Sequence, residues 1–203
     1  MAFPRYGMGV SVRFRFLRKR KIDWDAAYSI GNYDGAKDEF EWGRYSLIGH
    51  LIKQKQSTKV LDVGCGYGLL RDFIPESCRY TGVDISQVAT DNVLNRRPHD
   101  FFIACDIEKW QPDSTFDAAV FSEVLYYVKD VAGTLARVAE FLNHHGQLIA
   151  SFFNHPSSTA NRHAFEQTRQ FLESSRFTIS HALSVSTELP SHAAWSILAG
   201  VRS

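Results

Sequence analysis

The residues best suited to chemistry cluster in "KVLDVGCGYGLL", residues 59–70. There Gly64, Gly66 and Gly68 alternate with single residues between a β-branched run and a helix-like stretch. Glycines at such a turn let backbone N–H groups approach a ligand that a Cβ would block, and phosphate is the usual guest. Two phosphate patterns fail here. If Gly64 and Gly66 open a G-x-G-x-x-G/A fingerprint, its third small position falls on Leu69. A P-loop needs Gly-Lys-Ser/Thr, and none follows. Asp62, just ahead of the loop, would repel a pyrophosphate but suits a ligand carrying an ammonium and a sulfonium.

Two further acids stand at regular places. Asp84 closes "TGVD" about 20 residues beyond Gly64, where a carboxylate can accept both hydroxyls of an adenosine ribose. That feature says nucleoside without saying which one. Asp106, in "ACDIEKW", is placed to accept from the exocyclic amine of an adenine.

For these acids to converge, each must end a strand of one parallel sheet. "KVLDVG", "RYTGVD", "HDFFIACD", "FDAAVFSEV" and "GQLIASFF" read as five strands. Between them, "YGLLRDFIPE" reads as a short helix stopped near Pro75, and "SQVATDNVLNRR" as a helix with a serine cap. "DVAGTLARVAEFLN" reads as a helix ended by His-His-Gly. "AKDEFEWGRYSLIGHLIKQKQ" adds a helix before the sheet, with Phe40, Leu47, Ile48, Leu51 and Ile52 at helical spacing. Unbroken alternation of strands with helices of about 10–15 residues predicts an α/β fold with right-handed crossovers and helices on both faces. The tail reads as a helix and two strands joined by a turn at Pro190, so the last pair can be antiparallel.

In that order and spacing, "VLDVGCGYG", "GVDIS", "CDI" and "FDAAVFSEVLYYV" resemble the motifs of class I S-adenosylmethionine-dependent methyltransferases, over residues 36–201. The resemblance implies a Rossmann-like, doubly wound sheet of seven strands, mostly parallel, with the last strand antiparallel. It implies that Asp62, Gly64, Cys65, Gly66 and Gly68 line the methionine part and that Asp84 with Ile85 meets the ribose. Asp106 with Ile107 would meet the adenine, and Ser122 with Glu123 the amino-acid end. Related enzymes often fold a segment ahead of the sheet over the cofactor, which puts Tyr28 and Arg44 there, Arg44 as a contact for the carboxylate. The cofactor implied is S-adenosyl-L-methionine, with S-adenosyl-L-homocysteine as product.

A sulfonium is an activated leaving group, so such a protein chiefly aligns a nucleophile and excludes water. Where a proton must leave the acceptor, Glu123, Tyr126, Tyr127 and His155 stand near the ends of the fourth and fifth strands. Many small-molecule methyltransferases similar to this chain have a histidine where Tyr127 stands, which weakens a His-assisted O-transfer. "SEVLYYV" in a short chain more closely resembles the nodulation-factor type of N-methyltransferase and related sugar-modifying enzymes. The acceptor expected is a small molecule, an amine or hydroxyl of a sugar or related metabolite. Two other readings stand beside this one: a non-catalytic cofactor-binding subunit serving a partner enzyme, and an NAD-dependent oxidoreductase, opposed by Leu69 and Asp62.

Absences bound the rest. No [DN]PPY follows the fourth strand and no Pro-Cys nucleophile is present, so action on nucleic-acid bases is not expected. Cys65, Cys78 and Cys105 lack CxxC spacing and the histidines lack ligand spacing, so neither a disulfide framework nor a metal is expected. No apolar run approaches the roughly 18 residues of a spanning helix, and the start lacks a signal-peptide core, which makes a cytoplasmic protein the expectation. The formal net charge of +1 over 203 residues hides an asymmetry. Residues 1–22 carry Arg5, Arg13, Arg15, Arg18, Lys19, Arg20 and Lys21 with no acid, an arm suited to peripheral contact with an anionic surface or a protein. Residues 23–203 then form one domain: a cap segment (23–57), a cofactor-binding core (58–153) and substrate-side elements (154–203). A monomer or homodimer is expected.

Overall fold

The computed structural model describes residues 22–34, 39–97, 100–155, 157–174, 176–186 and 194–203. The basic arm, apart from Ile22, and the turn at Pro190 lie outside the described residues.

Seven strands form one sheet in the order β3-β2-β1-β4-β5-β7-β6. They are β1 (Lys59–Val63), β2 (Arg79–Asp84), β3 (Phe101–Ala104), β4 (Phe116–Ser122), β5 (Leu142–Phe153), β6 (Phe177–Ser186) and β7 (Ala194–Arg202). β1 to β5 are mutually parallel, and β7 runs antiparallel to both neighbours, β5 and β6. This is the expected Rossmann-like arrangement. The chain reverses its direction of travel across the sheet between β1 and β4, and a crevice at such a switch point is where open α/β sheets bind ligands.

Burial on both faces explains the apolar runs. In β1, Val60 faces one core with Ile48, Leu51 and Ile52 of α2 (Trp42–Gln54), while Leu61 and Val63 face the other. That second core takes Leu135 and Val138 of α4 (Val131–Glu140) and Leu172 of α5 (Thr159–Ser174). α4 buries Val131, Thr134, Leu135, Val138 and Ala139, one continuous helical stripe, and Asp130 caps it by accepting from the Gly133 N–H at 2.9 Å. α3 (Gln87–Leu94) opens on Ser86, whose hydroxyl accepts from the Ala89 N–H at 3.2 Å, so the serine cap stands where expected.

The alternation is less regular than the sequence predicts. The β1–β2 link carries only a 3-10 turn, Leu69–Phe73, and α3 has 8 residues. Residues 105–115, between β3 and β4, contain no helix. In its place Trp110 packs on Phe116 and Phe141, and Arg137 of α4 donates to the Ile107 and Trp110 carbonyls. His-His-Gly does not end a helix: α4 stops at Glu140, and His144, His145 and Gly146 lie within β5. There the register with β4 jumps from Phe116↔Leu142 to Ala118↔Gln147, and His145 takes φ 62°. The aromatic stretch before α2 holds an unanticipated short helix, α1 (Trp24–Ser29). Among the described residues, no helix is long and apolar enough to cross a membrane.

Candidate active site

A cavity of about 1160 Å³ lies over the carboxyl ends of β1, β2 and β4. The glycine loop forms its floor. Gly64 has φ 70°, and a Cβ on it would collide with the Val124 side chain; Gly66 has φ 51°, and a Cβ there would come within 2.8 Å of the Tyr28 hydroxyl. Both positions therefore need glycine for conformation and for space. Cys65, buried, shares the floor. Gly68 does not line the cavity, contrary to expectation. It precedes the 3-10 turn at φ 64°, closely packed against Val93 and Phe102, so its role is to bring α3 and β3 close to the loop.

The three strand-end acids meet this cavity. Asp84, 6% exposed, accepts from the Gly66 N–H at 2.8 Å through Oδ2 and from the Ser86 N–H at 2.9 Å through Oδ1. Each oxygen keeps lone-pair capacity for a further donor. Burial raises its pKa against the opposing effect of those backbone donors. Asp106 accepts from the Glu108 N–H at 3.0 Å, and its neighbour Ile107 and the exposed Ile85 line the cavity with it.

Asp62, 2% exposed, is different. Its Oδ2 accepts from the Tyr80 hydroxyl, while Oδ1 is buried without a hydrogen-bond partner. Burial pushes its pKa up to about 7, against the Tyr80 hydrogen bond, which lowers it. A buried carboxylate oxygen in the cavity wall with an open acceptor position fits a cationic group of a ligand.

Beside it, α2 delivers Arg44 from below the cavity. Its guanidinium, 2% exposed, donates to Glu41 through Nε at 3.0 Å and Nη2 at 2.6 Å, and through Nη1 to Ser122 and, at 3.5 Å, to Ser151. Glu123, in the left-handed region at φ 60°, completes the group. Its Oε1 accepts from the Ser151 hydroxyl at 2.8 Å, and its Oε2 from the Tyr126 hydroxyl at 3.0 Å and the Phe153 N–H at 2.7 Å. Both carboxylate oxygens of Glu123 are thus engaged inside the protein, tying the end of β4 to β5.

The mouth is aromatic. The Trp24 ring meets Tyr127 edge-on at 5.0 Å and Tyr33 at 5.7 Å, and Tyr28 lies 5.1 Å from both Tyr33 and Tyr67. Burial, with Tyr33 next, pushes the Tyr127 hydroxyl above the ordinary phenol range. His155 is exposed and outside the cavity lining. Its Nδ1 faces the Ser157 N–H at 3.3 Å and the Ser157 hydroxyl at 3.0 Å, which makes it a loop cap rather than a group in the cleft. The sequence reading missed Trp24, Tyr33 and Asp25. Asp25 accepts from the Ser86 hydroxyl at 2.6 Å and the Val88 N–H at 3.2 Å, clasping α1 onto the start of α3. The signal was there: Asp23 caps α1 by accepting from the Ala26 N–H at 3.0 Å, and aromatics follow at helical spacing.

This constellation is an acid-lined, glycine-floored crevice at the switch point of the sheet. A methyltransferase-domain family model matches residues 43–186, and the chain belongs to that family. Nodulation protein S of Bradyrhizobium diazoefficiens is 28% identical over 109 residues, 51% of this chain and 52% of that protein. Malonyl-[acyl-carrier protein] O-methyltransferase of Acetivibrio thermocellus is 27% identical over 164 residues, 77% of this chain and 58% of that one. The chain thus spans about half the length of the curated relatives it matches. Among solved structures, the N-methyltransferase NodS of Bradyrhizobium japonicum WM9, in complex with S-adenosylhomocysteine, superposes with a TM-score of 0.72 at 18% identity. That match covers 88% of this chain and 98% of NodS, and it shows the shared fold.

Proposed function

We propose that this chain binds S-adenosylmethionine in the cavity and transfers its methyl group to a small-molecule acceptor, an amine or hydroxyl of a sugar or related metabolite. The observation that carries the reading is three carboxylates, Asp62, Asp84 and Asp106, gathered at one glycine-turned cavity in a chain of the methyltransferase-domain family. When bound, the cofactor supplies a methyl group already activated by positively charged sulfur. Asp62 Oδ1 would hold the ammonium, and Arg44 with Ser122 the carboxylate. Asp84 would hold the ribose hydroxyls, and Asp106 the adenine amine between Ile85 and Ile107. Gly64, Cys65 and Gly66 let the backbone close beneath, and Tyr28 covers the loop.

The protein's own work is then alignment and exclusion of water. Trp24, Tyr33 and Tyr127 wall the mouth where an acceptor ring would stack. With both Glu123 oxygens occupied by internal donors, Glu123 orients the wall between β4 and β5 instead of removing a proton. Tyr127, held protonated at neutral pH with its hydroxyl engaged by Tyr33, walls the acceptor site and is no base. This favours a nucleophile needing little activation, an amine over a hydroxyl, in keeping with the similarity to NodS, an N-methyltransferase.

The test is transfer of a labelled methyl group to matched panels of amino sugars and their hydroxyl counterparts. Faster labelling of the amines supports the reading. Labelling confined to hydroxyls overturns the choice of nitrogen, and cofactor binding with no transfer to either panel favours the non-catalytic subunit.

A further inference from the structure

The Tyr80 side chain, 3% exposed in the middle of the fold, does not reach the cavity itself. Its ring packs on Phe102 at 5.5 Å between centroids, which accounts for the ring but not for the hydroxyl. A phenylalanine would fill the same space. The hydroxyl instead crosses from β2 to β1 and donates to Asp62 Oδ2. This fixes the carboxyl rotation and leaves Oδ1, buried and unpartnered, as the one oxygen free for a ligand.

We propose that Tyr80 is the positioning residue for cofactor recognition. Its hydroxyl holds Asp62 so that Oδ1 receives the ligand ammonium, and ligand entry drives a proton from the Asp62 carboxyl into the solvent. The proposal rests on the cofactor reading above. The groups that face Asp62 are Arg44 and Tyr45 from α2, Tyr80 and Asp84 from β2, and Cys65 from the glycine loop. Of these only Arg44 is a cation, and it is engaged with Glu41, Ser122 and Ser151. An arriving ammonium therefore brings the missing positive charge to a carboxyl that burial holds partly protonated near neutrality. The Tyr80 hydrogen bond stabilises the ionised form and eases the proton's departure.

The experiment is calorimetric titration with S-adenosylhomocysteine, whose amino-acid ammonium stays charged from pH 5.5 to 8.5, in buffers of different ionisation heat. The wild type is expected to release most of a proton on binding at pH 6.5 and almost none at pH 8.5. Tyr80→Phe, which retains the ring, is expected to bind about three- to tenfold more weakly at pH 7 and to converge to within about twofold by pH 8.5. Asp62→Asn is expected to bind weakly with the pH dependence gone. Asp84 keeps its backbone donors in both variants, so it serves as the control for a second titrating acid. Equal proton release at both pH values, an unshifted Tyr80→Phe profile, or a wild-type pH dependence in Asp62→Asn would each overturn the proposal. Absence of wild-type binding at every pH would overturn it together with the cofactor reading, a result distinct from the others.

Discussion

Asp62 shows how a site residue can oppose the fold that holds it. Its folded pKa of about 7 lies above the ordinary carboxylate value of 3.8, so the unfolded chain gives up this proton first as pH rises. Stability is then lost progressively from about pH 4 to pH 7 and levels off above that. Asp62→Asn keeps an acceptor for Tyr80 and removes the buried charge. It is expected to be about 1–3 kcal/mol more stable than wild type at pH 8 and nearly equal at pH 4, while losing cofactor affinity. Denaturant melts at the two pH values check this, and a less stable variant at pH 8 would contradict it. Asp84→Ala should weaken cofactor binding by an order of magnitude or more with an unchanged circular dichroism spectrum. Unaltered affinity would remove the ribose contact from the site.

At the scale of elements, the glycine loop divides its labour. Gly68→Ala forces a Cβ at φ 64° against Val93 and Phe102. It should cost about 1–2 kcal/mol in denaturant melts while the folded fraction binds cofactor normally. A selective loss of affinity would return Gly68 to the binding surface. α1 buries no residue and is held by its Asp25 clasp on Ser86 and Val88. Asp25→Ala is therefore expected to leave the denaturant midpoint of the whole domain unchanged and to speed amide exchange across residues 24–29. The same features explain what was legible. β1 and β4 are covered on both faces and so read as largely apolar stretches, and α4 carries a full helical stripe. α1 has 6 residues and no buried face, so its Asp23 cap and the Trp24 and Tyr28 spacing made a pattern too short to set it apart from a loop. The β-bulge at His144 and His145 mimics a helix terminus because glycine and a left-handed residue serve both.

Over the whole molecule, the mostly parallel seven-stranded sheet was readable because the motif acids stand at or near the carboxyl ends of their strands, and that sheet brings Asp62 and Asp84 to one edge. The side-chain partners were not readable. That Glu123 is engaged by Ser151 and the Phe153 N–H depends on β5 lying beside β4, some 30 residues away in sequence. His155 likewise follows β5 as expected, yet its ring turns to Ser157 rather than into the crevice. The site as a whole is an acid-lined crevice at the switch point of the sheet, which we propose takes a cationic nucleoside. The most direct test is side-by-side calorimetric titration with S-adenosylmethionine, S-adenosylhomocysteine and NAD. The expected result is saturable one-to-one binding of both sulfur ligands and none of NAD; binding of NAD alone, or of none of the three, would contradict it.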